Sequence, residues 1–259
     1  MHSKLKSLIL SCLFLSACST MTKVESTQNL SAEQAQKAWA DVLAKYVDSD
    51  GYIDFYVLEK NILNLQNYVG YIQAHGPKSQ PEEFNTPEKK LAYYINSYNA
   101  LSMYNVIDSH QTKSNSGFAK VKFFFLKKFE IDGEKMSLLS YENDIIRKVG
   151  EPRIHFALNC MSVGCPRLPA TPFDSKNLEK QLQDGAIEFF NNPKQMYIDD
   201  AKQTVYLSEI LKFYSEDFAS SRSGLIEYVN KYAKKKAPHN YKVEFIPYDW
   251  TIIHQQYKK

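Results

Sequence analysis

The chain has 259 residues, of which 44% are hydrophobic and 24% charged, with a formal net charge of +3. That is enough chain to bury a sizeable core, and the composition is too ordinary for a disordered or fibrous protein. The basic residues are scattered, which excludes the concentrated basic face of a nucleic-acid-binding protein; the densest run, Lys234-Lys235-Lys236, falls where a helix is predicted to end and cations suit its dipole.

The first residues read as a targeting segment rather than as fold. Lys4 and Lys6 form a basic start, and Leu8 to Leu15 is an apolar run too short to span a membrane. Leu15-Ser16-Ala17-Cys18 then matches the bacterial lipobox, at which a lipoprotein is cut and its cysteine acylated. The alternative is an ordinary signal peptide in which Cys18 is incidental. The expectation is therefore a signal peptide over 1–17 and a lipidated Cys18 carrying several acyl chains (palmitate among them), so that the membrane is a partner through that lipid. Ser19 in place of an aspartate points to the outer membrane, with the protein facing the periplasm, where disulfides are permitted. Residues 18–29 are polar and read as a tether, and 30–259 as one globular domain.

Ser31 with Gln34 three residues later predicts a capping box, and Ala35, Trp39, Val42, Leu43 and Tyr46 share one face of the helix after it. Asp48-Ser49-Asp50-Gly51 is a turn leading into the short alternating stretch Tyr52–Phe55. It imitates a calcium loop, but aligning Gly51 with the glycine of such a loop puts Tyr46 first and Val57 twelfth, where carboxylates are needed, so a helix-to-strand turn is favoured. Leu58, Ile62, Leu65, Val69 and Ile72 continue at helical spacing until Gly76-Pro77. Thr86-Pro87-Glu88 opens a helix running to about Asp108 that is apolar nearly all round, and therefore central. Asn96 and Asn99 share a face inside it, either bracing backbone or lining a pocket.

Phe118 to Ile131 is aromatic and basic with strand character, and Asp132-Gly133 is a hairpin turn signal. Ser140 is predicted to cap a helix over Tyr141–Arg147 that ends near Gly150. A strand over Arg153–Cys160 comes next. Beyond it, Asp174 or Ser175 opens an amphipathic helix through Leu178, Leu182, Ala186, Phe189 and Phe190. Met196–Ile198 and Thr204–Leu207 form a hairpin with a longer loop, Ser208 to Phe218 and Gly224 to Lys236 are helices, and Val243–Ile246 is a last strand before Tyr248-Asp249-Trp250. These elements predict a single α+β domain with an antiparallel or mixed sheet packed with several helices.

The stretch that concentrates chemistry is Arg153-Ile154-His155-Phe156-Ala157-Leu158-Asn159-Cys160, continuing to Cys165-Pro166-Arg167. Around it, from residue 51 onward, the chain resembles the family called domain of unknown function 547. The pieces that carry the resemblance are Gly51–Phe55, Tyr94-Ile95-Asn96-Ser97-Tyr98-Asn99-Ala100, Leu138–Arg147 with Glu142, Arg153–Pro166, Leu207–Phe218 and Tyr248-Asp249-Trp250. Tyr94 stands where that family often has tryptophan, and Met161 and Val163 where smaller residues are usual. The resemblance implies no established activity; a likeness to papain-like and transglutaminase-like folds is an analogy alone.

Cysteine catalysis needs a thiolate, a histidine and a group that orients the histidine. On a regular strand His155 and Cys160 would face opposite sides about 15 Å apart, which makes Cys165 the better nucleophile; Pro166 after it suggests a first helical position. Glu142, Asn96, Asn99 and Asp249 are candidate orienting groups. Against this, Cys160 and Cys165 in an oxidising compartment could form a disulfide that pins the loop. A redox-active pair is a weaker reading because the spacing is not Cys-x-x-Cys, and zinc held by His155, Cys160 and Cys165 matches no standard site. Arg153, Arg167 and Asn96 are candidate substrate-binding residues for a small-molecule or peptide ligand with an anionic group, the alternative being that each arginine pairs with a structural acid, Glu142 being the expected partner of Arg153. No cofactor and no metal are predicted. The two functions left open are a thiol-dependent hydrolase or transferase acting on amide-type substrates, and a non-catalytic ligand- or protein-binding domain with a structural Cys160–Cys165 disulfide.

Overall fold

Every residue from Ile95 to Ile107 is buried, so over that stretch the helix to which they belong has no solvent face and the other elements are arranged around it. The computed structural model describes residues 21–22, 24, 30–110 and 113–258. The leader, Cys18 and the rest of the tether lie outside the described residues.

In chain order, β1 (Met21–Thr22) is followed by α1 (Ala32–Tyr46), α2 (Phe55–Lys60), α3 (Leu63–Ala74) and the central α4 (Pro87–Asp108). The predicted caps are present. Ser31 Oγ accepts from the Gln34 N–H at 3.2 Å while Gln34 Oε1 accepts from the Ser31 N–H at 2.9 Å, and Thr86 caps α4 with Pro87 in its first turn. The turn before α2 is tied by Asp48 Oδ1, which accepts from the N–H groups of Asp50 and Tyr52, and Lys258 pairs with both Asp48 and Asp50. Gly51 is required there: its φ is +82°, and a Cβ would lie 2.7 Å from Arg167 Cγ.

The Phe118–Ile131 stretch is not a strand throughout. It forms α5 (Phe118–Val121), continues as a π-helical segment over Lys122–Leu126, and becomes β2 only at Lys128–Ile131. Phe123 and Phe124 are buried while Phe118, Val121 and Phe125 are exposed, a helical rather than a two-residue alternation. The Asn105 side chain supports the segment by donating to the Phe123 carbonyl. Asp132-Gly133 then makes the predicted hairpin to β3 (Glu134–Ser137), both turn residues having positive φ. The next helical stretch is capped by Ser137, not Ser140: α6 (Leu138–Ser140) runs into a second π-helical segment, Tyr141–Ile146, and then a 3₁₀ turn, Arg147–Val149, which ends in a left-handed Gly150.

The predicted Arg153–Cys160 strand is instead a 3₁₀ turn over Pro152–Phe156 followed by irregular chain. Glu151 caps the turn by accepting from the Arg153 N–H, and Pro152 is pre-set for its first position. Downstream, Asn99 takes the Ala157 carbonyl and the Asn159 N–H, groups that a sheet ladder would otherwise use.

The remainder comprises α7 (Leu178–Phe190), β4 (Met196–Asp199), β5 (Thr204–Ser208), α8 (Ile210–Phe213), α9 (Ser215–Phe218), α10 (Arg222–Val229) and β6 (Lys242–Ile246). The helix predicted from Ser208 to Phe218 is broken at Tyr214 (φ −120°), and the one predicted to reach Lys236 stops at Val229, where the Asn230 side chain binds the backbone of Ala237. Two mixed sheets result. In one, β1 pairs parallel to β2 and β2 antiparallel to β3; in the other, β4 pairs antiparallel to β5 and β5 parallel to β6. The fold is α+β, as the sequence predicts.

Ile154, Ala157 and Leu158 pack into the larger core with α1, α3 and α4, whereas Phe156 packs into the second, among Phe189, Phe190 and Tyr228. The 152–160 segment is thus wedged between two cores.

Candidate functional site

Six separate segments place side chains around one small cavity of about 60 Å³. Pockets that enclose a whole drug-sized ligand are of the order of 300–1,000 Å³, so this one takes a group of a few heavy atoms. Its wall includes Tyr98 from α4, Phe124 and Glu142 from the two π-helical segments, His155 from the 3₁₀ turn, Cys160 and Cys165 from the following loop, Tyr214 from the break between α8 and α9, and Tyr248 and Trp250. π-helical distortions re-aim side chains within a helix and recur at functional sites; here each contributes one wall residue.

The two cysteines are free thiols whose sulfurs lie 3.0 Å apart. Asn159 sets their loop: its Oδ1 accepts from the Met161 N–H and its Nδ2 donates to the Pro166 carbonyl, both at 2.7 Å, with Met161 at φ +65°. Val163 and Gly164 N–H groups donate to the Thr251 and Asp249 carbonyls, and the Cys160 N–H points at Cys165 Sγ, 3.1 Å away. The Tyr248 hydroxyl lies 3.2 Å from Cys160 Sγ and 2.9 Å from Cys165 Sγ. The hydrogen bond from Cys165 lowers the Cys160 thiol against the opposing effect of burial, with help from Tyr248 and Ser162. Burial, followed by the neighbouring Cys160 sulfur, pushes the Cys165 thiol well up. The two thiols are thus shifted in opposite directions, Cys160 down and Cys165 up.

His155 is in the cavity wall, but its Nε2 is bonded to Asp217 Oδ2 at 2.7 Å and its ring stacks on Tyr214 with centroids 4.1 Å apart. Among the described residues no hydrogen bond joins its ring to either sulfur. Asp217 is also gripped by the Arg147 fork, through Nε at 2.6 Å and Nη2 at 2.8 Å. Against the desolvation imposed by burial, the hydrogen bonds from His155 and Arg147 hold the Asp217 carboxyl well below the usual carboxylate range. Glu142 is only 4% exposed and accepts from the Tyr98 hydroxyl at 2.9 Å. Burial, with Glu142 beside them, pushes both tyrosines well above their ordinary values, so they stay protonated donors.

Of the predicted site residues, the cavity gathers His155, Cys160, Cys165 and Glu142. Asn99 is not among them; it braces the Ala157–Asn159 backbone. Asn96 binds Trp39 Nε1 and both backbone polar groups of Phe173, facing a different groove. Arg153 is taken up by Glu151 and Glu179, and Arg167 by Glu188, so the arginines pair with acids, though Glu142 is not one of them. Asp249 accepts from the Thr251 N–H rather than orienting His155. The residue that does orient it, Asp217, and the hydroxyls of Tyr98, Tyr214 and Tyr248 carry no spacing signal that links them to the motif.

Gly164 packs so closely on Tyr248 that a Cβ would lie 2.8 Å from the ring. Gly164→Ala should therefore displace Tyr248 from the sulfurs and cost about 1–3 kcal/mol through overpacking. Denaturant unfolding measures the cost, and wild-type stability together with a wild-type rate of thiol alkylation would contradict it.

Residues 81–190 match the model of the family described as protein of unknown function, DUF547, so that this part of the chain is a DUF547 domain. None of the curated proteins and none of the solved structures matches the chain.

Proposed function

We propose that the protein is an outer-membrane lipoprotein, held at the periplasmic face through acylated Cys18, whose domain binds one end of a small-molecule or peptide ligand in the cavity above Cys160 and Cys165. In that compartment the cysteines are joined as a disulfide that fixes the cavity floor. The observation that carries this reading is the 3.0 Å approach of the two sulfurs, combined with a histidine committed to Asp217 instead of to a thiol. Cysteine hydrolases and transferases need an imidazole within hydrogen-bond reach of the nucleophile. Oxidation needs only proximity and an acceptor: two thiols lose two protons and two electrons to a disulfide-bearing oxidant, one S–S bond forms between Cys160 and Cys165, and the oxidant leaves as two thiols.

The cavity favours a ligand end that carries hydrogen-bond donors or positive charge. Glu142 presents a buried carboxylate, and the aromatic wall of Tyr98, Phe124, Tyr214 and Trp250 suits a cation over ring faces. One observation favours the second reading, a thiol-dependent hydrolase or transferase on amide-type substrates: the lowered Cys160 thiol.

Iodoacetamide labelling of native, unreduced protein followed by mass mapping separates the two. The disulfide reading expects no alkylation at Cys160 or Cys165 until reductant is added, and then labelling at both. Rapid labelling of Cys160 without reductant, retained in Cys165→Ser, would establish a reactive nucleophile and overturn it.

A further inference from the structure

From Ser109 to Phe129 the chain contains five lysines (Lys113, Lys120, Lys122, Lys127 and Lys128) and no aspartate or glutamate. Within it, the helical segment Phe118–Leu126 turns Phe123 and Phe124 into the core and leaves Phe118 74%, Val121 40% and Phe125 51% exposed. Three large apolar side chains at spacings of three and four lie on one helical face, flanked by exposed Lys122 and Lys128. An apolar stripe edged by lysines is the pattern of a segment that lies in a membrane interface. No described helix is long and apolar enough to cross a membrane.

The place where the N-terminal segment meets the domain indicates the occupant of this face. Met21 pairs with Lys128 and Thr22 with Phe129, in parallel, so Met21 lies at the end of β2 at which the Phe118–Leu126 segment arrives. Val24 is buried at 3% in the larger core. Met21, Thr22 and Val24 therefore lie on the domain instead of in a free linker. Cys18 is three residues before Met21, a reach of at most roughly 10 Å. An acyl chain on Cys18 would enter the bilayer beside the exposed phenylalanines and lysines.

We infer that the Phe118–Val121–Phe125 face, with Lys122 and Lys128, is a membrane-docking surface that rests in the phospholipid leaflet holding the Cys18 anchor; this rests on the lipoprotein reading above. The phenylalanines enter the acyl boundary and the lysines meet anionic phosphate headgroups, giving the domain one fixed orientation on the membrane.

The test uses the full chain, purified with its anchor and reconstituted into vesicles of phosphatidylethanolamine and phosphatidylglycerol with brominated acyl chains. Tryptophan is introduced as Phe118→Trp, as Phe125→Trp and, as a control on the other sheet, as Tyr197→Trp, and the emission of the unsubstituted protein is subtracted. Tryptophan at 118 and 125 should lose most of its emission relative to unbrominated vesicles, with the strongest quenching about 5–10 Å below the headgroup boundary, while tryptophan at 197 should be unaffected. If 118 and 125 respond like 197, the docking face is refuted. If they are shielded but unquenched and the protein sediments as a dimer, the face belongs to a second copy and the proposal falls. The mass of the N-terminal peptide reports separately on Cys18. An unacylated Cys18 removes the lipoprotein reading, and the quenching still decides the face.

Discussion

Asn99→Ala should destabilise the protein by about 3 kcal/mol. Asn99 is buried at the middle of α4, and both ends of its amide are used: Nδ2 donates to the Ala157 carbonyl at 3.0 Å and Oδ1 accepts from the Asn159 N–H at 2.7 Å. Truncation leaves two buried backbone groups without partners, each costing about 1–3 kcal/mol. For a chain of this size the loss corresponds to a fall in Tm of roughly 6–12 °C. Because Asn159 sets the loop after it, the variant should also loosen the Cys160–Cys165 approach, read as faster alkylation of the reduced protein. A stability within about 0.5 kcal/mol of wild type, the ordinary range for inert surface changes, would show that the amide is dispensable.

Arg147→Met should cost about 3 kcal/mol, the range for breaking a largely buried ion pair by removing one partner. The Arg147 side chain is 15% exposed and that of Asp217 23%, and the methionine would leave Asp217 with the His155 ring as its remaining hydrogen-bond partner. The pH dependence provides an independent check. The folded-state pKa of Asp217 is depressed, so its contribution to stability is fully present above the unfolded-state value near ~4 and is lost as pH falls through the lower folded-state value. Wild type should therefore lose stability on acidification below about pH 5. Asp217→Asn should begin less stable at neutral pH and lose less on the way down. Urea unfolding between neutral pH and the acid transition measures both slopes, and parallel slopes would mean that Asp217 is not the group responsible.

Capping and periodicity made much of the helical layer legible. Ser31 with Gln34, Thr86 with Pro87, and the all-round apolar character of α4 are local signals, and local physics decides them. The Arg153–Cys160 segment was not legible in this way. A run of apolar residues reads as a strand, but burial between two cores does not require a sheet, and Asn99, some sixty residues away, supplies the hydrogen bonds that a neighbouring strand would have supplied. Phe118–Leu126 fails for a related reason: aromatic residues favour strands, yet the exposure pattern that fixes the helix depends on which face meets the core. The His–Cys motif did mark the cavity. The pairing of His155 with Asp217, and of both sulfurs with Tyr248, depends on segments 62 to 88 residues away and has no signature within the motif.

Residues 249–254 act as a lace. Trp250 and Thr251 accept from Asn115 and Val163, Asp249 from Gly164, and Ile253 both donates to Met161 and accepts from Ile53. These contacts join the turn between α1 and α2, the loop before α5 and the cysteine loop through residues synthesised after all of them. If the chain is secreted as we propose, the cavity stays unfinished while most of the chain has already emerged, and the thiols of Cys160 and Cys165 are without the Tyr248 hydroxyl throughout that interval. Under that proposal the order of synthesis leaves a period in which the two cysteines would meet oxidants as open-chain thiols, before the fold brings their sulfurs together.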